Sequence, residues 1–273
     1  MINPGLVRRS IRETWLTTLL FACSLGVFAG LLNYALPRFQ ARMGMGRGQA
    51  PPFLERLRSV ILGVETAGMG VTEIAAGIAW SHPAVLALLW AHAIVFCTRV
   101  PAGEVEKGTI DVLLGLPISR WQLYLSETAV WLGSALVLLG AAVLGSRVGN
   151  SLIDPALRPD AWKLGVVQVN LLALYLAVGA GAWLGSSLVD RRGRAVLAVM
   201  IVVLGSFLLN YLALLWPEVE RLNAASLLHY YRPVFVLRSG EWPWRNLAVL
   251  GGLAVGLWTA AGLVLARRDL STT

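Results

Sequence analysis

The stretch Ile74-Ala-Ala-Gly-Ile-Ala-Trp-Ser-His-Pro-Ala-Val-Leu-Ala-Leu-Leu-Trp-Ala-His-Ala-Ile-Val-Phe-Cys-Thr98 contains no Asp, Glu, Lys or Arg. As a helix rising about 1.5 Å per residue, it is long enough to cross roughly 30 Å of hydrocarbon. Five more charge-free runs are of similar length: Trp15 to Leu36, Thr128 to Ser146, Leu164 to Val189, Ala195 to Pro217 and Asn246 to Ala266. A backbone in lipid must satisfy its own hydrogen bonds, so each run is expected to be a helix. Strands of a membrane barrel would be about ten residues long with alternating polarity, and these runs show neither feature. The sequence predicts an all-α polytopic membrane protein. One transmembrane domain covers 1–273, with helices near 15–36, 79–98, 123–146, 164–189, 195–217 and 246–266.

Composition agrees. Of 273 residues, 57% are hydrophobic and 14% charged, and mean hydropathy is +0.68. Soluble domains are about half apolar and about a quarter charged, so a soluble or disordered chain is excluded. The net charge of +8 points to loops against anionic lipid, and nucleic acid is not an expected partner. Cys23 and Cys97 lie inside apolar runs and read as packing residues, not as a disulfide or metal site. The first run is too long for a typical signal-peptide core and no clear small-x-small cleavage site follows it. Ser10-Ile-Arg-Glu13 has the form of a capping box. It predicts a short amphipathic helix leading into the first span, with Arg8, Arg9 and Arg12 at the lipid headgroups.

Six crossings put both termini on one side. Segments 1–14, 99–127, 190–194 and 267–273 would share that side, and they are denser in Lys and Arg than the outer loops 37–73, 147–163 and 218–245. The positive-inside rule then favours cytoplasmic termini. Glycines four apart, at Gly26 and Gly30, Gly181 and Gly185, and Gly252 and Gly256, suit close helix packing in lipid. In 37–73, Leu54, Leu57, Ile61 and Val64 recur at helical spacing and predict a short amphipathic helix on the outer face. The aromatics of 226–233, with Trp242 and Trp244, suit a membrane interface.

The segment 99–122 differs from the other loops. Acids at 104 and 106 suit the first turn of a short helix from about Gly103 to Leu114, Pro117 breaks the chain, and Ser119-Arg-Trp-Gln122 is a second capping box. The hairpin 190–194 shows how little chain a reversal needs, so a punctuated segment of this length reads as a docking element. A solvated connector is the plainer alternative.

The residues Glu104, Glu106, Gly108, Thr109, Leu113, Leu114, Pro117, Ser119 and Arg120 resemble the E-x-E-x-G-T…L-L…P-[IV]-S-R signature of ABC-2 type transporter permease subunits. The segment 226–233 followed by Gly240 is similar to the stretch before the last helix in that family. The resemblance covers essentially the whole chain. It implies the transmembrane half of an ATP-driven exporter in the cell (inner) membrane, with both termini cytoplasmic. It further implies that the helix 2–3 loop carries a coupling helix, with those nine residues docking onto a separate nucleotide-binding ATPase subunit. The implied partners are that ATPase, a second permease copy or paralogue, membrane lipid and an accessory subunit.

Chemistry of the chain's own is missing from the sequence. There is no Gly-x4-Gly-Lys-Ser/Thr loop for nucleotide phosphates and no His-Glu-x-x-His helix for a metal. No catalytic, cofactor-binding or metal residues are therefore expected, and ATP with Mg²⁺ would belong to the partner. His92, Glu127, Asn170 and Asn210 are polar positions within or beside the spans. Each is either an interhelical hydrogen bond or a point on a substrate path. Two other classes stand as alternatives. An ion-coupled carrier or channel would usually place carboxylates or arginines within the spans, which contain none. An intramembrane serine protease would need Ser186 or Ser187 to meet His229, yet these fall on opposite faces of the predicted topology. A plain membrane anchor is a further alternative.

Overall fold

The computed structural model describes residues 2–42 and 70–268. Helix α1 runs Pro4–Arg42, α2 Val71–Ser81, α3 Pro83–Cys97, α4 Glu104–Glu106, α5 Ile110–Leu114 and α6 Arg120–Ser151. Then follow α7 Ala161–Leu188, α8 Arg192–Leu215, α9 Pro217–Glu220, α10 Pro233–Ser239 and α11 Trp244–Arg267. No strand occurs among the described residues. Six segments are long and apolar enough to span a membrane: α1, the α2–α3 pair, α6, α7 with the turn before it, α8 and α11.

Several boundaries differ from the sequence reading, each for a local reason. Helix α1 does not begin with a separate amphipathic piece. Asn3 caps it, accepting the Gly5 amide at 2.9 Å, with Pro4 in the first helical position, where a missing N–H costs nothing. Ser10 therefore lies inside the helix and caps nothing. At the other end Pro37 forfeits one bond without ending α1, which continues to Arg42. The second span is broken. His82 precedes Pro83 and is driven to extended geometry (φ −62°, ψ 129°), and its Nδ1 accepts the Ala84 amide at 3.2 Å, restarting the chain as α3. The predicted 103–114 helix is also divided, because Gly108 sits at φ 70° between α4 and α5. The capping box at Ser119 and Gln122 forms as expected and opens α6. The predicted 54–64 helix lies outside the described residues.

Helix α7 is the central element, packed by α3, α8 and α11. Its buried aromatics Tyr175 and Trp183 join Trp131 and Tyr124 of α6 in one core. Helices α1 and α6 meet backbone to backbone. A Cβ built on Gly145 would lie 1.9 Å from the Gly26 carbonyl oxygen, and one on Gly149 would lie 2.2 Å from that of Gly30. The Gly26/Gly30 pair is thus matched by a second pair, Gly145/Gly149, on the facing helix. Gly252 and Gly256 differ: nothing lies within 4 Å of a Cβ at either. The outward faces of α1, α8 and α11 carry exposed Leu20, Val27, Leu31, Ile201, Leu204, Leu208 and Val255, the composition of a lipid-facing surface. Segment 226–233 is tied into the bundle. Ser226 is buried against Ser206, and the Tyr231 hydroxyl donates to the Trp80 carbonyl at 3.0 Å.

The loops sort into two ends. At one end the Asn3 amide donates to Ser126 and Arg268 pairs with Asp190 at 2.5 Å. Segment 99–119 and both termini of the described chain gather there, at what is here called the basal end. At the opposite end Lys163 pairs with Glu73 at 3.1 Å and Arg38 donates to the Leu152 carbonyl at 2.7 Å.

Candidate functional site

At the basal end, segment 99–119 is held down by charge. Arg99, beside the π-type turn Arg99–Gly103, pairs with Glu13 of α1 and with Glu127 of α6, and its Nη2 donates to Ser10 Oγ at 2.8 Å. Ser10 Oγ in turn donates to Glu127 Oε2 at 2.7 Å. Arg9 donates to Glu13 at 2.7 Å and to Glu104 at 2.8 Å, and Thr109 donates to the second oxygen of Glu104 at 2.5 Å. Two charged groups of α1 (Arg9 and Glu13), two of the loop (Arg99 and Glu104) and one of α6 (Glu127) thus form a continuous network. Glu127 is 1% exposed and Glu104 5%. At so little exposure each carboxylate depends on its arginine partner, and removing one member of a pair strands the other in a buried place.

The nine loop residues do not share one orientation. Thr109 is exposed, while Glu104 is buried. Leu113 is buried too. Glu106 is exposed and accepts the Arg192 backbone amide at 2.9 Å, tying the 189–192 turn to the loop. Gly108 has open space around it and a left-handed backbone, so its role is the turn and not a close approach. Leu114 ends α5, and Pro117 lies in the turn before α6. Ser119 caps α6, and Arg120 donates to the Leu265 carbonyl at 3.2 Å and also to that of Arg268, closing the end of α11. The surface that remains carries Glu106, Lys107, Val112 and Leu116. Val112 is 73% exposed, an apolar side chain on a polar end of the molecule.

The four polar positions of the spans do not converge. His92 is enclosed between α1, α3 and α7: Nδ1 lies 2.9 Å from the Tyr175 hydroxyl, Nε2 lies 3.3 Å from Thr18 Oγ1, and Phe21 packs edge-on. Asn170 holds segment 226–233, donating to the Tyr230 carbonyl at 3.1 Å and accepting the Arg232 amide at 3.4 Å. Asn210 is half-buried in α8. Glu127 belongs to the basal network. The protease arrangement is absent as well. Ser186 accepts the Ala102 amide at 3.1 Å at the basal end, while His229 is hydrogen-bonded to Arg232, 3.1 Å from its Nδ1, in the segment at the other end. Sequence reasoning missed Arg9, Ser10, Glu13 and Arg99 as network members, because only the fold brings 9–13, 99–104 and 127 together.

Residues 7–240 match the family described as ABC-2 family transporter protein. The chain belongs to the ABC-2 transporter family. It is similar to the "Probable ABC transporter permease YtrC" of Bacillus subtilis (strain 168), 26% identical over 123 residues. That match takes in 42% of this chain and 37% of the relative, so it spans little more than a third of that protein's length. With six spans and this membership, the ABC-2 chain is a multi-pass membrane protein. No group of three or more His, Cys, Asp or Glu side chains arranged to hold a metal occurs among its described residues.

Proposed function

We propose that this chain forms the translocation path of an exporter and is driven by a separate ATPase subunit that docks on segment 99–122. The observation that supports this reading is the basal network, whose ion pairs tie the loop to α1 and α6. A displacement imposed on the loop has a stiff route into two spanning helices through Glu104–Arg9 and Arg99–Glu127. Alternation between two arrangements of the bundle would then follow from nucleotide binding elsewhere. In this reading ATP and Mg²⁺ stay on the partner and this chain binds no cofactor. The basal end faces the cytoplasm of the cell (inner) membrane, and a second permease copy or paralogue completes the path. Exposed Val112 and Leu116, beside Glu106 and Lys107, form the docking surface.

Two measurements test this. The purified chain is expected to show no ATP turnover, and turnover surviving removal of contaminating ATPases would end the reading. Val112→Asp is expected to insert and fold normally yet lose co-purification with the nucleotide-binding partner. Retained co-purification would return 99–122 to the status of a connector.

A further inference from the structure

Between α1, α3 and the start of α8, a cavity of about 380 Å³ opens beside the basal network. Its walls include Thr17 and Thr18 of α1, His92 of α3, Arg99 and Lys107 of the loop, and Arg192 of α8. Charged and hydroxyl side chains line it, unlike the apolar groove between α1 and α6 on the other side of the Thr14–Thr18 ridge.

The lining of this cavity carries three cations, Arg99, Lys107 and Arg192, and one carboxylate, Glu13. The lining carboxylate and two beyond it are paired with arginines, and a fourth, Glu106, meets a backbone amide. Glu13 is held by Arg9 and Arg99, Glu127 by Arg99 and Ser10, Glu104 by Arg9 and Thr109, and Glu106 by the Arg192 backbone amide. Arg192 is anchored by Nη2 on the Val95 carbonyl at 2.8 Å and by Nε near Thr98 Oγ1 at 3.4 Å. Both of those bonds go to neutral oxygens, so they fix the guanidinium at the cavity wall without cancelling its charge. Lys107 is exposed and stands on the turn set by Gly108. The cavity therefore presents two cations from separate elements, with Thr17 also in its wall. A cluster of this kind matches an oxyanion with several acceptors, the fork of Arg supplying geometry and the ammonium a point charge.

We propose that this cavity is a binding site for a phosphate-bearing anion, held between Lys107 and Arg192 with Thr17 as a further donor. The phosphate belongs either to an anionic lipid headgroup or to a soluble phosphorylated cargo. The site deepens the transport reading and rests on it for its meaning: the ligand would bridge the docking loop to α1 and α8 and so link occupancy to the ATPase. Binding itself is measured on the chain alone, so failure of the coupling reading and failure of this site are separate results.

The test uses the purified chain in detergent, titrated with inorganic phosphate and, separately, with mixed micelles carrying phosphatidylglycerol or phosphatidylcholine. Saturable binding of phosphatidylglycerol without phosphate binding assigns the site to lipid, and binding of phosphate assigns it to a soluble anion. In either case Lys107→Gln should weaken binding at least 10-fold, Lys107→Arg should restore most of it, and Thr17→Val should weaken it several-fold. Lys107 is exposed and Thr17 only half-buried, so the thermal unfolding of these variants should match the parent, separating loss of the site from loss of the fold. No saturable binding of either probe, or binding unchanged in Lys107→Gln, overturns the proposal.

Discussion

Glu104 and Glu106, two residues apart, face different fates. Glu104 is buried between Arg9 and Thr109, while Glu106 is exposed on the turn side. Glu104→Lys sets a cation against Arg9 in a buried place and is expected to lower expression and thermal stability sharply. Glu106→Lys should leave both near normal and weaken only the association with the ATPase. Equal behaviour of the two variants in a fluorescence-based unfolding assay would contradict the geometry. The Arg99–Glu127 pair yields to a double-mutant cycle. Each single replacement, Arg99→Met or Glu127→Leu, strands a buried charge and should cost about 3–5 kcal/mol, and the double should recover much of that loss. Additive losses would show that the two side chains do not interact. At Gly108 the left-handed backbone makes Gly108→Leu cost about 1–2 kcal/mol, with Gly108→Asn milder.

Among elements, the α1–α6 contact is the most sharply constrained. Gly145→Ala places a carbon against the Gly26 carbonyl, so the helices must separate, at about 1–3 kcal/mol. Gly252→Ala, with open space around it, should change unfolding by less than about 1 kcal/mol. A Gly145→Ala protein as stable as the parent would mean that the two backbones do not touch. The sequence exposes one side of this contact, in Gly26 and Gly30, because small residues four apart are visible in a single helix. It does not expose the partner, since 26–30 and 145–149 are remote in the chain, and the equally regular Gly252/Gly256 pair packs against nothing within the described residues. The six spans were legible because hydrocarbon excludes charge along a whole run. The break at His82 was hidden inside such a run, although Pro83 marks it. The basal network was illegible because its members are single polar residues whose meaning lies in the distance between segments. The Gly103–Leu114 helix failed at one backbone angle, where a glycine favours a turn.

For the whole molecule, the two-ended sorting of loops makes a topological prediction. In a chain with Cys23 and Cys97 replaced by Ala, Ser151→Cys and Gly193→Cys should label with a membrane-impermeant thiol reagent from opposite sides. Ser151 should label from outside intact cells and Gly193 only after the membrane is opened. Labelling of both from one side would overturn the single crossing between them or the assignment of ends.

The glycine contact between α1 and α6 also bears on how the chain is made. Helix α1 is synthesised first, yet its facing backbone belongs to a helix completed only at Ser151. While α2 to α5 emerge, α1 waits in the bilayer with Gly26, Gly30 and the buried Asn33 side chain turned toward lipid or toward a temporary companion. Nascent chains arrested before residue 145 should thus hold α1 next to lipid or an insertion factor. Chains arrested well past 151 should release it to α6. Biosynthesis then contains a waiting period whose length is set by the ribosome and not by the fold, and messages that stall within it should yield chains that membrane proteases clear.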